Sequence, residues 1–175
     1  MQFAIREFRT QEFETVWQID QLCFPPGISY SKQELKHYIQ RPRAFTLVAE
    51  RMSEPTDGLP DARSGSWSSS EGSGSPAQPA VLGFAVAESN ARGSGHVITI
   101  DVMPEARRAG VGSALMAEVE SRLRASGCRY VYLETAVNNR AAMAFYKRRK
   151  YELVKTIPRY YEGGLDAFLL VKPLR

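Results

Sequence analysis

A stretch of seven residues, RRAGVGS at 107–113, constrains the fold of this chain more than any other. The apolar run at 97–102 predicts a strand before it, and apolar residues at helical spacing predict a helix that begins near Val111. The first backbone N–H groups of a helix lack partners within it, and the helix dipole adds about half a positive charge there. Two glycines and two arginines beside such an end favour an anion site, and a tight turn with two solvated arginines is the alternative.

Periodicity along the rest of the chain predicts one mixed α/β domain over 1–175. Strands are predicted at 2–8, 45–50, 81–87, 97–102, 129–136, 151–157 and 167–171, and helices after 10, after 31, over 111–126 and over 139–149. Ser31 and Glu34 form a capping box, and Asn139 is placed to cap the last helix. The strand, helix, strand order around 111–126 implies a right-handed crossover between two parallel strands.

Residues 52–80 interrupt this pattern, with 8 Ser, 4 Gly and 4 Pro among 29 residues. Such a segment cannot bury enough apolar surface to offset its ordering entropy, so we predict a disordered surface insertion between two strands. Trp67 within it is either a docking point for another protein or exposed by chance.

Composition excludes several classes of protein. No apolar run approaches the roughly 20 residues of a membrane span, and the first residues lack a signal-peptide pattern, so we expect a cytoplasmic protein that does not bind membranes. Cys23 and Cys128 lie far apart and outside any C-x-x-C motif, which favours buried thiols. His37 and His96 are too isolated to indicate a metal site.

The predicted strand at 129–136 carries an unusual carboxylate. Glu134 shares one face of the strand with Tyr130 and Tyr132, in the middle of the sheet, where desolvation penalises a charge. A salt bridge or a solvated strand end would explain it, and so would a general base.

Several motifs together resemble one family. The glycine loop reads R-x-x-G-x-G, as in the pyrophosphate loop of the GNAT superfamily of N-acetyltransferases, rather than a P-loop or a dinucleotide motif. The resemblance extends to the RimI-type branch, which acetylates protein N-terminal α-amines, notably of a ribosomal protein. It rests on Leu-Glu at 133–134, Asn-x-x-Ala then Phe-Tyr at 139–146, Arg-Tyr-Tyr, Gly and Asp-Ala at 159–167, and Phe-Pro then Tyr-Ser at 24–31. The resemblance covers nearly the whole chain outside residues 52–80.

The resemblance implies a GNAT fold, a mostly antiparallel sheet of about seven strands with a splayed parallel pair and about four helices, and a role for each matching residue. Glu134 is implied as the general base and Tyr146 as the acid that protonates the leaving thiolate. The implied acetyl-CoA contacts are Ile100, Asp101, Val102, Arg107, Arg108, Ala109, Gly110, Val111, Gly112, Ser113, Asn139 and Tyr146. The implied walls of the peptide site are Phe24, Pro25, Tyr30, Tyr160 and Tyr161. Simple packing of Tyr146 and Tyr160, and a helix cap at Asn139, are the alternatives.

The charge distribution agrees with a polyanionic ligand. Residues 101–175 carry 14 Lys/Arg against 8 Asp/Glu, whereas residues 1–100 carry 9 against 11. Coenzyme A suits this excess, and so does ribosomal RNA near a protein substrate, although we expect no direct nucleic-acid role. We expect acetyl transfer to a protein N-terminus by a monomer or weak dimer, without a metal. The same fold acting on lysine or a small amine, and a noncatalytic acyl-CoA-binding or ribosome-associated module, stay open.

One position departs from the family pattern. Lys150 stands where the family usually has glycine, before the aromatic residue that follows the last helix. If the position is left-handed, lysine costs about 1 kcal/mol there.

Overall fold

The frame of the protein is a seven-stranded sheet, seen in a computed structural model that describes residues 1–52 and 80–174. The strands are β1 (Phe3–Glu7), β2 (Ala44–Arg51), β3 (Val81–Ser89), β4 (Ser94–Val102), β5 (Tyr130–Ala136), β6 (Glu152–Ile157) and β7 (Ala167–Pro173), and the helices are α1 (Phe13–Cys23), α2 (Lys32–Ile39), α3 (Val111–Ala125) and α4 (Arg140–Arg148). These bounds confirm the predicted elements within a few residues. The insertion predicted at 52–80 lies outside the described residues, apart from its two end residues.

The strand order is β1-β2-β3-β4-β5-β7-β6, and every neighbouring pair is antiparallel except β4 with β5. The predicted mixed α/β GNAT fold is therefore confirmed, including the crossover through α3. The parallel pairing joins only residues 94–96 to 130–132. Beyond it, residues 97–102 pair with β3 alone and residues 133–136 with β7 alone, so a gap opens between two strand edges.

Helices cover both faces of the sheet. On one face, Leu115 and Leu123 of α3 are fully buried, and they share a core with Leu133 of β5 and Tyr146 of α4. A Cβ at Gly95 would lie 2.5 Å from the Leu123 side chain, so α3 packs directly on the sheet backbone. On the other face, α1 and α2 pack on a second core that includes Val16, Leu35, Phe84 and Val86. Fully burying each large apolar side chain contributes roughly 1.5 to 3 kcal/mol.

A bulge in β4 sets which side chains reach which face. Val86 is opposite Thr99 and Ala87 is opposite Val97, so one residue of β4 is skipped in the register. After the bulge, Ile100 and Val102 pack on the core beneath α3 and α4. Alternation then turns the Asp101 side chain toward α1.

None of the described helices is long and apolar enough to cross a membrane.

The ends of α2 and α4 agree with the sequence. Ser31 and Glu34 form the predicted capping box at the start of α2, and the Asn139 side chain accepts a hydrogen bond of 3.0 Å from the Ala142 N–H at the start of α4. Lys150, just after α4, has a φ of 67°, so the position is indeed left-handed.

Candidate active site

The N-terminus of α3 is open. Its N-cap is Gly110, with a φ of 88°, and the helix has no side-chain cap and no acidic residue in its first turn. A Cβ at Gly110 would meet no described atom within 4 Å, so glycine supplies the left-handed turn here and leaves the approach to the helix end clear. The exposed residues Arg108 and Ala109 precede it. Unpartnered N–H groups and the positive end of the dipole can together bind an anion.

Two residues of this loop have structural contacts that the sequence did not indicate. A Cβ at Gly112 would lie 3.5 Å from the Val102 side chain and 3.8 Å from the Phe145 ring. A Cβ at Gly112 would therefore make only ordinary van der Waals contacts with β4 and α4, so packing alone does not require glycine here. The Arg107 Nε donates to the Val102 carbonyl at 3.1 Å, which fastens the loop to the end of β4.

The gap between β4 and β5 leads inward from this loop. At Ile100, Asp101 and Val102, β4 pairs with β3 on one side. On the other side, which faces the gap, it pairs with no described strand. The Val102 carbonyl already accepts hydrogen bonds from Arg107 and Cys23, whereas the other backbone groups that point away from β3 can pair with an extended polar chain, as in β-strand addition. The pantetheine arm of acetyl-CoA carries amide groups of this kind.

Tyr146 lies on α4, in the core against which Ile100 and Val102 of β4 pack. It is 6% exposed and contacts Phe145 and Tyr151 edge-on, with ring centroids 5.2 and 5.5 Å away. Desolvation raises its pKa, and the charges of Asp101 and Tyr161 raise it further. The hydroxyl is therefore protonated at neutral pH and able to donate. The Tyr146 ring also packs in the core, which is the alternative role given for it from the sequence.

Glu134 lies on the opposite face of β5 and is paired with a histidine. Its Oε2 lies 2.7 Å from the His96 Nε2, and the His96 ring stacks on Tyr132 with centroids 4.4 Å apart. The His96 Nδ1 lies 3.8 Å from the Glu88 carboxylate, which accepts a hydrogen bond from Arg41. Glu134 therefore has a close side-chain partner, and that partner is a histidine whose isolation in the sequence gave no indication of the contact. No simple spacing joins residues 38 positions apart, and only the register of two parallel strands could have signalled the pair.

Aromatic side chains surround Glu134. Tyr160 and Tyr161, 4.9 Å apart, lie in the loop between β6 and β7. Desolvation and then the charge of Glu134 raise the pKa of Tyr161 to about 12, and the same two causes raise that of Tyr160. Desolvation, Tyr38, Tyr160 and Tyr161 raise the pKa of Tyr30. Tyr30 is therefore within electrostatic reach of the two tyrosines, and the two tyrosines are within electrostatic reach of Glu134.

The two loops also touch directly. A Cβ at Gly27 would lie 3.3 Å from the Glu162 Cβ, so the segment after α1 contacts the β6–β7 loop there. Phe24 is half-buried at the end of α1, and Pro25 is exposed. Tyr30 and the tyrosine pair therefore lie in loops that touch, and their role as walls of a peptide site stays a prediction. The Asn139 side-chain oxygen is occupied as a helix cap. Within the described residues, no group of three potential metal ligands occurs.

A split parallel pair of strands, with an open helix end at its mouth, defines a GNAT-type α/β fold. The chain belongs to the acetyltransferase (GNAT) family, whose sequence profile matches residues 13–151.

Individual relatives agree with that assignment. Over 81 residues the chain is 41% identical to an uncharacterized N-acetyltransferase of Methanocaldococcus jannaschii, a match that covers 46% of this chain and 52% of the relative. It is 38% identical over 81 residues to an N-alpha-acetyltransferase of Sulfurisphaera tokodaii, covering 46% and 48%. The match spans about half the length of these relatives. The crystal structure of the ribosomal-protein-S18-alanine N-acetyltransferase of Escherichia coli aligns with a TM-score of 0.73 at 18% identity, covering 99% of this chain and 94% of that one, which shows the shared fold.

Proposed function

We propose that the protein is an acetyl-CoA-dependent N-acetyltransferase that acetylates the N-terminal α-amine of a protein, such as a ribosomal protein, by direct transfer in a ternary complex. One observation carries the proposal. The gap between β4 and β5 has the open end of α3 at its mouth, Glu134 on one face and Tyr146 on the other. A relative named N-alpha-acetyltransferase and a structural neighbour that acts on a ribosomal-protein alanine support this choice of substrate.

The residues present fit acetyl-CoA. The N–H groups at Val111 to Ser113 and the loop arginines suit a diphosphate, and the free edge at 100–102 suits the amides of the pantetheine arm. Bound in this way, acetyl-CoA supplies an activated acyl group as its thioester near Tyr146.

Each chemical step then has a group in place. Glu134 accepts a proton from the substrate ammonium, directly or through one water, and His96 holds the carboxylate at 2.7 Å. The neutral amine attacks the thioester carbonyl carbon, the C–N bond forms and the C–S bond breaks. The Tyr146 hydroxyl would give its proton to the leaving thiolate, and the second proton that the nitrogen loses as the amide forms would return to the tyrosine oxygen, directly or through water. In this proposal a backbone N–H near Val102 would polarise the carbonyl oxygen.

The choice of an α-amine follows from the proton balance. With a pKa near 7.7 to 8.0, about a tenth of an α-amine is neutral at pH 7, whereas lysine, near 10.4, is almost wholly charged. One carboxylate is therefore sufficient to remove the proton from an α-ammonium group. The tyrosines around Glu134 form a partly apolar wall suited to an extended peptide end.

Paired substitutions test whether the protein is an enzyme. We expect Glu134→Gln and Tyr146→Phe each to lower the turnover rate by about 10² to 10⁴-fold. Coenzyme A affinity, measured by calorimetry, should be unchanged. Tyr151→Phe, in the same core, and Glu118→Gln, on the exposed side of α3, are matched controls that keep turnover. Full activity of both site variants would contradict the assigned roles.

A second experiment tests the substrate. A peptide library is incubated with acetyl-CoA and the position of the added acetyl group is read by tandem mass spectrometry. Acetylation of the terminal amine supports the proposal, and acetylation of lysine side chains supports the alternative within the same fold. Coenzyme A binding without transfer to any amine would indicate a noncatalytic module.

A further inference from the structure

Arg149 links the end of α4 to the beginning of α3. It is the C-cap of α4, and its backbone N–H donates to the Phe145 carbonyl at 3.3 Å and to the Tyr146 carbonyl at 3.0 Å. Its side chain extends to α3, where Nη1 donates to the Ser113 carbonyl at 3.2 Å and Nη2 lies 3.3 Å from the Glu120 carboxylate. One residue therefore bonds both to the helical turn that carries Tyr146 and to the first turn of α3.

Glu120 gives the Arg149 side chain an anchor within the core. Glu120 is 6% exposed, and its Oε2 lies 2.6 Å from the Lys172 Nζ. The Tyr151 hydroxyl donates to its Oε1 at 3.2 Å. Desolvation and then the charge of Glu120 raise the pKa of Tyr151, so this hydroxyl stays protonated and able to donate. A buried carboxylate is costly unless charges and hydrogen bonds compensate it, and here three side chains do so.

Neutralisation of Glu120 does not by itself explain Arg149. Lys172 is the closer cation, at 2.6 Å against 3.3 Å, and it already balances the carboxylate charge. Arg149 adds a second positive charge at a position where its side chain is only 17% exposed. A guanidinium has five donors in a rigid fork and can hold two acceptors at once. The second acceptor of Arg149 is the carbonyl of Ser113, in the segment assigned to the diphosphate.

The two helices that Arg149 joins carry opposite ends of the proposed cofactor site. The N–H groups of Val111 to Ser113 suit the diphosphate, and the Tyr146 hydroxyl suits the thioester end. The placement of α4 relative to α3 therefore decides whether the hydroxyl reaches the leaving sulfur, and a misplacement of about 1 Å can cost about 100-fold in rate. Apolar packing is non-directional, whereas hydrogen bonds weaken steeply when their geometry is lost.

We propose that Arg149 is a positioning residue for acetyl transfer, which holds α4 against the first turn of α3 so that Tyr146 stays within reach of the thioester. This inference rests on the proposed function, because it assigns the diphosphate to α3 and the acid to Tyr146. Arg149 acts through Tyr146 and not on the reacting atoms. Without its side chain, α4 shifts relative to α3 and the chemical step slows, while coenzyme A still binds at the open helix end.

Arg149→Met and Lys172→Met test this role as a matched pair. Each removes one cation from Glu120 and leaves the other, so neither variant leaves the buried carboxylate without a charged partner. At a temperature at which circular dichroism shows both to be folded, we expect kcat to fall at least about tenfold in Arg149→Met and to stay within about twofold in Lys172→Met. Coenzyme A affinity should stay within about threefold in both.

Two results of these measurements would overturn the positioning role. One is an equal kcat in the two variants. The other is a loss of coenzyme A affinity in Arg149→Met that matches its loss of kcat, because Arg149 would then serve cofactor binding.

A double-mutant cycle tests whether Arg149 acts through Tyr146. Arg149→Met added to Tyr146→Phe should lower kcat no further, because the hydroxyl that Arg149 positions is already gone. In a Tyr151→Phe background, which removes one hydrogen bond from Glu120 and keeps Tyr146, the full loss should remain. The same loss in both backgrounds would overturn the proposal.

A measurement without turnover separates this inference from the proposed function. Full-length protein labelled with ¹³C at the tyrosine Cζ atoms is followed by NMR, and the Tyr146 signal is identified as the one lost in Tyr146→Phe. We expect this signal to shift or broaden in Arg149→Met and to keep its position in Lys172→Met. An unchanged Tyr146 signal in Arg149→Met would overturn the positioning role. If no amine is acetylated, the proposed function fails, and the NMR comparison still decides whether Arg149 fixes the place of Tyr146.

Discussion

The N-terminus of α3 differs from those of α2 and α4, because α2 and α4 have side-chain caps and α3 has none. At α2, the Ser31 side chain accepts from the Glu34 N–H and Glu34 bonds back to Ser31, and at α4 the Asn139 side chain accepts from the Ala142 N–H. At α3, Gly110 offers no side chain at all. A cap typically contributes about 1 kcal/mol, so α3 forgoes stabilisation that the other two helices have. What α3 keeps is a set of N–H groups open to an anion.

The largest effect is expected from a negative charge at the open end. A carboxylate from Gly110→Glu would lie at the positive end of α3 and repel a diphosphate, so we expect coenzyme A affinity to fall at least about 100-fold, or below detection by calorimetry. Stability should fall by only about 1 to 2 kcal/mol, because the φ of 88° disfavours a side chain.

The other end of the same helix provides the control. Gly127 has a φ of 80° and equally open space for a Cβ, so Gly127→Glu carries a similar backbone strain. We expect it to lose stability and to keep coenzyme A affinity. Equal affinity in both variants would refute the anion site at α3.

The next effect concerns the cap of α4. We expect Asn139→Ala to lower the free energy of unfolding by about 1 kcal/mol, measured by urea denaturation, because the Ala142 N–H loses its partner. Asn139→Asp keeps an acceptor and should restore stability. Coenzyme A affinity then separates the two roles weighed from the sequence. A cap alone predicts unchanged affinity in the alanine variant, and a ligand contact predicts a weaker one.

The cap of α2 should affect stability only, and in a pH-dependent way. Hydrogen bonds from Ser31 lower the pKa of Glu34. Because its folded-state pKa is depressed, Glu34 stabilises the fold above its unfolded pKa, and this contribution is lost as the pH falls through the lowered value. We expect Glu34→Gln to be less stable than the natural chain at pH 7 and to approach it at pH 3, by chemical denaturation. A constant difference across that range would contradict the assignment.

Much of this comparison could be predicted from the sequence, because caps are local. Ser31, Glu34, Asn139 and the glycine loop act on N–H groups within a few positions, so their spacing alone indicates their contacts. Periodicity likewise gave the strands and the crossover. The pairing of His96 with Glu134, 38 positions apart, depends on the register of two strands, which spacing does not encode.

Two further features lay beyond sequence patterns for the same reason. The burial of Asp20 and of Asp101 depends on how α1 docks on the sheet. Arg149 belongs to a run of four basic residues at 147–150, yet it reaches the Glu120 carboxylate at 3.3 Å, and Glu120 also binds Lys172. A helix wheel cannot show which charged residue a neighbouring element will cover.

The smallest effect is expected at the helix C-termini, where α3 and α4 again differ. The chain leaves α3 through Gly127, with a φ of 80°, and leaves α4 through Lys150, with a φ of 67°. The left-handed conformation costs a side-chain-bearing residue about 1 to 2 kcal/mol, and glycine returns about 0.4 to 1 kcal/mol through the greater entropy of the unfolded chain. We therefore expect Lys150→Gly to raise the free energy of unfolding by about 1 kcal/mol or less, measured by urea denaturation.

Lys147→Gly, an exposed position inside α4, is the matched control and should lower stability by about 1 kcal/mol. Opposite signs for the two substitutions would show that conformation, and not the loss of a lysine charge, governs this end of α4. The Tyr151 N–H bonds to the Tyr146 carbonyl at 3.0 Å across that turn, so the backbone that Lys150 strains is also the backbone that closes the helix carrying the proposed acid. If Lys150→Gly lowered stability, the strain would have to be offset by contacts of the lysine side chain itself.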